Sequence, residues 1–514
     1  MYAGDLNEAE KYFKRENDLY KELVKSSDMI SIRKDYAVSF RNLGKVCFEK
    51  NDYAQAKEHY SHAAELLEQI AKELNIEGKY DILAVTYRML GDVAMSDVQL
   101  GKAKNLYQNA YDITQCIMQE TNSFHAQREH SISCIKCGDV CLANNEIAAA
   151  QCLFEKAKAI LEPFQTRSKS DDIARDYLIC IERLGSCCYK AHEYKKAVSL
   201  YNYALEKKYR REEKLGSIGS INDVAVLLRI IGDIKKAEGD RAAALVYYMK
   251  AKEKYGIIME KAASVSPSIR RDAALLLEII GNEYSEDENW INAGAAYSEA
   301  LDELRIIKDR ANSANFLRDY IEILEKVGDT QSQMGNLKEA EDAYSEALEK
   351  HRNLEEGTDP LAALCPLARL IEKLGNIRHD NGDDEGAEKC FEEGAEAFEK
   401  VADITGAAGD KREVAYCLLM LGETKAKRDP DGAYQYMLEA CKEFKKLTEF
   451  YNEKWAYEDL AIACYRLAVI RKPYDFDALR EANSQFEQLC TWFPYEGIYK
   501  EYRDEIIAIF RSIV

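Results

Sequence analysis

The sequence predicts an all-α solenoid, and three observations carry that prediction. A Gly at position 44 returns as Gly91, Gly138, Gly185, Gly232, Gly281, Gly328, Gly375 and Gly422, at intervals of 47, 47, 47, 47, 49, 47, 47 and 47 residues. Twelve residues after each of the first eight stands Ala56, Ala103, Ala150, Ala197, Ala244, Ala293, Ala340 or Ala387, and four further on an aromatic, from Tyr60 and Tyr107 to Tyr344 and Phe391. Three beyond the ring comes another small residue, Ala63 through Ala347, with Gly394 as the variant. Small, aromatic, small at i, i+4, i+7 is one face of a helix. An apolar residue four before the Gly (Phe40, Tyr87, Ile181, Leu228, Leu277, Leu324, Ile371) marks a second helix ahead of it. A fixed period of this length is the signature of stacked supersecondary units, each leaning on its neighbours.

The Leu-Gly…Ala…Tyr…Ala pattern resembles the tetratricopeptide repeat, over nearly the whole chain and at that family's internal offsets. The resemblance implies a right-handed α-α superhelix of paired helices. The unit is 13 residues longer than the common 34-residue form, so both helices are expected to be lengthened, with the ring wedged against the next unit. HEAT and armadillo repeats share the longer period but do not account for the offsets.

Taken in order, the chain opens with a partial repeat over 1–33, in which Gly4-Asp5-Leu6, Ala9 and Phe13 match the turn and second helix of a unit lacking its first helix. This reads as a piece of a longer protein. Nine full repeats are expected at 34–80, 81–127, 128–174, 175–221, 222–270, 271–317, 318–364, 365–411 and 412–457. A degenerate repeat and C-terminal cap follow at 458–514, where Leu467-Ala468 replaces Leu-Gly and the apolar run Ile506 to Phe510 covers the end. Turns inside the units fall at Asn51-Asp52, Glu238-Gly239-Asp240, Gly335-Asn336 and Gly382-Asp383, where Gly supplies positive φ and Asn or Asp bonds its own backbone. Connections between units carry Gly78, Gly216, Gly219, Pro267, Gly357 and Pro360, and the two-residue insertion fits Ser264-Val265-Ser266-Pro267. An acid nine residues before the Gly (Asp35, Glu129, Asp176, Asp223, Asp272, Asp319, Glu413) complements the positive end of the first helix. Pro366 takes that place in the eighth unit, where an early helical position needs no N–H donor.

Composition narrows the function. A net charge of −20 gives nothing to displace counterions from phosphates, so nucleic acid is not an expected partner. No apolar run suits a membrane span, and no membrane partner is expected. The 15 Cys, odd in number and scattered singly, point to a reducing, cytoplasmic setting. Cys134-x2-Cys137-x3-Cys141 lacks an opposing Cys or His pair and reads as core thiols; no metal is expected. The acidic stretch His379 to Glu385 misses the spacing of a calcium loop and coincides with a turn. Gly216-Ser217-Ile218-Gly219 has no strand before it and no Lys-Ser/Thr after it, so it is a linker and no phosphate cradle. No nucleophile, acid–base pair or cofactor motif stands out. The reading is a chain with no enzymatic activity and no cofactor.

What remains is a groove. In the resembled family, first helices line the concave face through residues six and three before the Gly and one, four and five after it. The position one after the Gly reads Lys45, Asp92, Asp139, Ser186, Asp233, Asn282, Asp329, Asn376, Glu423, mostly hydrogen-bond acceptors. Three before it, Arg41, Arg88 and Arg229 share a phase with Ile135 and with Glu278, Glu325 and Glu372. Ile132, Ile135, Leu142, Ile179 and Tyr189 would form an apolar patch in the third and fourth units. Arg41, Arg88, Ile132, Ile135, Leu142, Ile179, Tyr189 and Arg229 are therefore the expected partner-binding residues, the ligand a protein or peptide; the oligomeric state is left open. Arrays with this 47-residue unit resemble those of bacterial multidomain signalling or defence proteins, where a STAND-type NTPase, TIR or peptidase domain precedes them. That resemblance implies a sensor or ligand-recognition part of such a protein; the alternative is a stand-alone scaffold or chaperone-like adaptor.

Overall fold

Helices alternate with short turns from one end of the chain to the other, and among the described residues there is no strand. The computed structural model describes residues 6–50, 52–165, 171–261, 265–307, 314–353 and 360–512. The expectations placed on Gly4-Asp5, Asn51, Ser264 and Gly357 lie outside these residues. The chain divides into two units, Met1–Ser266 and Pro267–Val514.

The first unit holds α1 (Leu6–Ser26), α2 (Ile30–Glu49), α3 (Tyr53–Glu73), α4 (Asp81–Ser96), α5 (Leu100–Thr121), α6 (Phe124–Ala143), α7 (Ile147–Gln165), α8 (Asp171–Lys190), α9 (Tyr194–Leu215), α10 (Ile218–Ala237) and α11 (Arg241–Lys261). The second holds α12 (Pro267–Glu286), α13 (Trp290–Ile307), α14 (Ala314–Gln333), α15 (Leu337–Arg352), α16 (Pro360–Asp380), α17 (Asp384–Thr405), α18 (Ala408–Lys425), α19 (Pro430–Phe450), α20 (Lys454–Val469), α21 (Phe476–Trp492) and α22 (Gly497–Arg511). From α2 to α21 the even helices are the first members of helix pairs, and each packs on the odd helix that follows. The turns between them are a few residues long, so partners run antiparallel.

Every Gly of the period lies in a first helix, and each of the first eight has the ring sixteen residues on laid against it. A Cβ added to Gly185 would come within 2.7 Å of Tyr201 Cε2, and one on Gly44 within 2.6 Å of Tyr60. Phe154 and Phe391 stack on Gly138 and Gly375 in the same way, and Met437 takes the ring's place at Gly422. The expectation that the ring wedges against the next unit is corrected here. It seats on its own unit's glycine, the one point where a first helix offers bare backbone to a flat side chain. Ala197 and Ala204, on either side of Tyr201 in α9, are 0% exposed, as are their counterparts from Ala56 to Ala347. The packing of each pair thus follows the small-aromatic-small spacing of its sequence.

Seven residues after the Gly, the turn into the second helix takes left-handed backbone in each described unit from the second to the eighth. Gly239, Gly335 and Gly382 fill that place without strain, while Val98, Asn145, His192 and Glu288 adopt it at φ of 56°, 61°, 59° and 53°, at a cost greatest for the β-branched Val98. Asp383 then accepts a hydrogen bond from the N–H of Gly386 (3.0 Å) and caps α17. Gly216, at φ 56°, ends α9, and Ser217 caps α10, so that stretch is an inter-repeat linker. At the far end Ala468 (0% exposed) replaces the glycine, and α22 closes the stack. There Tyr502 lies parallel to Phe486, with ring centroids 4.8 Å apart, over the fully buried Ile506.

Candidate functional site

The polar residues of the first helices are arranged by the repeat itself. The residue one after the Gly receives the hydroxyl of the ring stacked on that Gly. Tyr107 donates to Asp92 (2.6 Å), Tyr248 to Asp233 (2.9 Å), Tyr297 to Asn282 (2.8 Å) and Tyr344 to Asp329 (2.6 Å). Ser186 and Tyr201 share one such bond at 2.6 Å. Where the ring is Phe, another donor arrives: Arg183 to Asp139 (2.6 Å) and Tyr416 to Asn376 (3.1 Å). The row of acceptors expected to face a ligand is in large part committed to holding each pair together.

A second set of contacts joins successive units. In several units the acid nine before the Gly, or before Ala468 in its place, takes a guanidinium from the position ten before the Gly one unit earlier: Arg128 to Asp176 (2.8 Å), Arg271 to Asp319 (2.5 Å) and Arg412 to Asp459 (2.5 Å). These acids bridge repeats in addition to sitting at helix starts. A cation two before the Gly reaches the opposite way, to the unit before it: Lys136 to Asp92 (2.8 Å), Lys373 to both Glu325 (2.6 Å) and Asp329 (2.7 Å), and Lys326 to Glu278.

These ladders decide where the expected binding residues lie. Arg88 is 7% exposed and is held by Glu129 and by Ser133 Oγ (3.2 Å), and Ile135 is 6% exposed, so both belong to the contact between stacked helices. The longer helices bury them against their neighbours. Arg41 is half-buried beside Tyr60 and Arg88. Ile132, Leu142 and Ile179 are half-buried, and the Leu142 carbonyl accepts from Lys190 (2.9 Å). Tyr189 remains exposed, and Arg229 donates to Asp233 Oδ2 at 3.1 Å.

Tyr189 is one wall of an open cavity of about 520 Å³ between α8 and α10. Ile230, Ile234 and Ala237 of α10 supply its apolar side, and the hydroxyl ends of Tyr201 and Tyr248 come through from the second helices. Ser186 and Asp233 complete it. Burial holds the Asp233 carboxyl above the ordinary carboxylate range, with Arg229 and the Tyr248 hydroxyl acting against that shift. The arrangement can take an apolar side chain and place polar backbone near a carboxylate and a hydroxyl. Of the eight expected residues it gathers Tyr189 directly and Arg229 through Asp233. Ile230 and Ile234 were missed because they stand two before and two after the Gly, off the expected groove positions, and Ala237, at the expected position five after it, is too small to mark a patch. Two adjacent apolar positions on one helix turn, facing a Tyr one unit earlier, was the available signal.

Cys134, Cys137 and Cys141 are buried in α6, and burial pushes the first two thiols up to about 12. Cys134 Sγ lies 3.7 Å from Nε2 of the fully buried His130, whose imidazole burial pushes down to about 4. Among the described residues no group of three or more His, Cys, Asp or Glu is placed to hold a metal ion. No helix of the described residues is long and apolar enough to cross a membrane.

No family model and no curated protein matches the chain. Among solved structures it is similar to a Signal Transduction ATPase with Numerous Domains (STAND) protein with a tetratricopeptide repeat sensor from Pyrococcus horikoshii, at 14% identity and TM-score 0.45, over 93% of this chain and 74% of that one. It is also similar to the apo form of RapI, at 13% identity and TM-score 0.45, over 84% of this chain and 98% of that one. A third likeness is to the apo form of the quorum sensor NprR from B. thuringiensis, at 12% identity and TM-score 0.39, over 78% and 98%.

Proposed function

We propose that the chain is a non-catalytic array that binds a protein or peptide on its first-helix face, with the cavity around Tyr189, Ile230 and Ile234 as the principal anchor site. One observation carries the reading: on a face where the ladders pair most charges within the stack, this cavity combines uncovered apolar surface with two tyrosine hydroxyl ends. Such a pocket suits an apolar or aromatic side chain of a ligand, and anchors of that kind dominate binding energy. Ile132, Leu142 and Ile179 extend the contact along the preceding first helices, and Arg41 and Arg229 offer charge at its flanks. Our reading of the chain as the ligand-recognition part of a larger bacterial signalling or defence protein rests on the likeness of its 47-residue repeat pattern to arrays of that kind.

Selection of a displayed random-peptide library on the purified chain tests this. Peptides should be enriched for an apolar or aromatic residue at one position. Tyr189→Asp or Ile230→Asp should weaken them by tenfold or more, the loss of one apolar anchor being about 1.5–3 kcal/mol, with the thermal midpoint little changed. Enriched peptides that ignore both variants but lose affinity on Glu155→Lys would move the site to the second-helix side.

A further inference from the structure

The cavity around Tyr189 is lined by hydroxyls whose hydrogens are already directed at acceptors within the protein. Tyr248 donates to Asp233 Oδ1 at 2.9 Å. Ser186 Oγ has the carbonyl of Glu182, one turn back in α8, as its acceptor at 3.2 Å. A hydroxyl has a single hydrogen, so the 2.6 Å bond between Ser186 and Tyr201 runs from the Tyr201 O–H to Ser186 Oγ. Arg229 Nη1 donates to the second carboxylate oxygen, Asp233 Oδ2, at 3.1 Å. What these groups leave toward the cavity is lone pairs, since a hydroxyl oxygen carries two and a carboxylate about four. The polar floor accepts hydrogen bonds and donates few, beneath apolar walls from Tyr189, Ile230 and Ile234.

We propose that this cavity selects a ligand aromatic ring that brings its own hydrogen-bond donor, the indole N–H of tryptophan or the phenol O–H of tyrosine. The inference rests on the anchor-site reading above and adds to it the chemistry of the anchor. An aliphatic or phenyl side chain would cover the same walls but strip water from the oxygens of Tyr201 and Asp233 without replacing its hydrogen bonds, which costs free energy. A site with polar groups left unmatched in this way rejects the ligand that lacks the matching group far better than a plain apolar pocket can. At about 520 Å³ the cavity has room for a bicyclic ring.

A charged donor fits less well. Arg229 already lies on Asp233 and Lys236 lines the same cavity, so a ligand ammonium or guanidinium would meet two cations around one carboxylate. Burial holds the Asp233 carboxyl above its ordinary range in spite of Arg229 and Tyr248, and a further neutral N–H or O–H reaching it would favour its ionised form.

Saturation-transfer NMR on the full chain tests this with N-acetylated amides as probes. Tryptophan is compared with benzothienylalanine, which keeps the ring shape but has sulfur in place of the N–H, and tyrosine with phenylalanine; arginine is the charged control. The donor of each pair should bind about two- to tenfold more tightly than its partner, the factor one hydrogen bond supplies. Arginine should bind no more tightly than phenylalanine. Tyr189→Asp and Ile230→Asp should each weaken all four ring probes. If the ring probes bind, weaken in those variants and yet show no difference within either pair, the anchor site stands and the donor selectivity is overturned; arginine outranking tryptophan overturns it too. If no ring probe binds the wild type, or binding is unaltered in both variants, the anchor-site reading itself fails, and the selectivity with it.

Discussion

Alanine substitution at two glycines of the first unit should shift stability in opposite directions. Gly185 lies in α8 under Tyr201, and an added Cβ would sit 2.7, 2.9 and 3.0 Å from three ring carbons. The ring has little room to retreat: it is 3% exposed, its hydroxyl is bonded to Ser186 at 2.6 Å, and Ala197 and Ala204 beside it are fully buried. Overpacking of this kind costs about 1–3 kcal/mol, and a displaced hydroxyl bond adds roughly 0.5–1.5 kcal/mol. Better helix propensity returns about 1 kcal/mol, so Gly185→Ala should be destabilised by about 1–3 kcal/mol on balance. Gly256, in α11, is exposed with nothing within 4 Å of an added Cβ. There only the propensity gain remains, and Gly256→Ala should be stabilised by about 0.5–1 kcal/mol. Long arrays depart from two-state unfolding, so urea midpoints from helical circular dichroism should be paired with hydrogen exchange of α8–α11. If Gly185→Ala is no less stable than Gly256→Ala, the stacking of ring on glycine is not what sets the period.

Val98 is 77% exposed at φ 56°, so Val98→Asn, the residue found at the equivalent Asn145, should stabilise by about 0.5–1.5 kcal/mol by relieving left-handed strain; an unchanged urea midpoint would count against strain at that turn. Tyr344→Phe removes a donor to Asp329 but leaves Lys373 on the same carboxylate, so its cost should stay near 0.5–1.5 kcal/mol. The same change at Tyr248, whose hydroxyl reaches Asp233 at 2.9 Å on a carboxyl that Arg229 also donates to, gives a direct comparison in the same melt.

Fold class and packing were readable because the residues that make them recur in every unit. Gly, Ala and Tyr at fixed offsets are local, each acting within about thirty residues. The ion ladders were harder, because their partners are separated by 44 to 48 residues, close to the period itself. Read within one unit, Asp176 or Asp319 looks like a helix-start acid. Read against the unit before, each has an Arg one step out of phase. Arg88 and Ile135 were misplaced for the same reason: the sequence shows which way a residue points from its helix, not whether the next helix has closed over it. The cavity beside Tyr189 was half visible, because its remaining apolar wall stands one unit later.

The two sets of contacts also explain why this chain's surface chemistry is sparse while its charge is high. In a solenoid, stability resides in each unit and in each interface with the next. Here the unit is held by ring on glycine and hydroxyl on acceptor, and the interface by Arg reaching forward and Lys reaching back to acids of the neighbouring unit. Such bonds are individually weak, since exposed ion pairs give little and partly buried ones must offset desolvation. Their number matters more than their strength. A substitution at one rung therefore acts on one interface and leaves the others intact. The place in this array that can respond to something outside it is where apolar surface has been left uncovered, as at Tyr189.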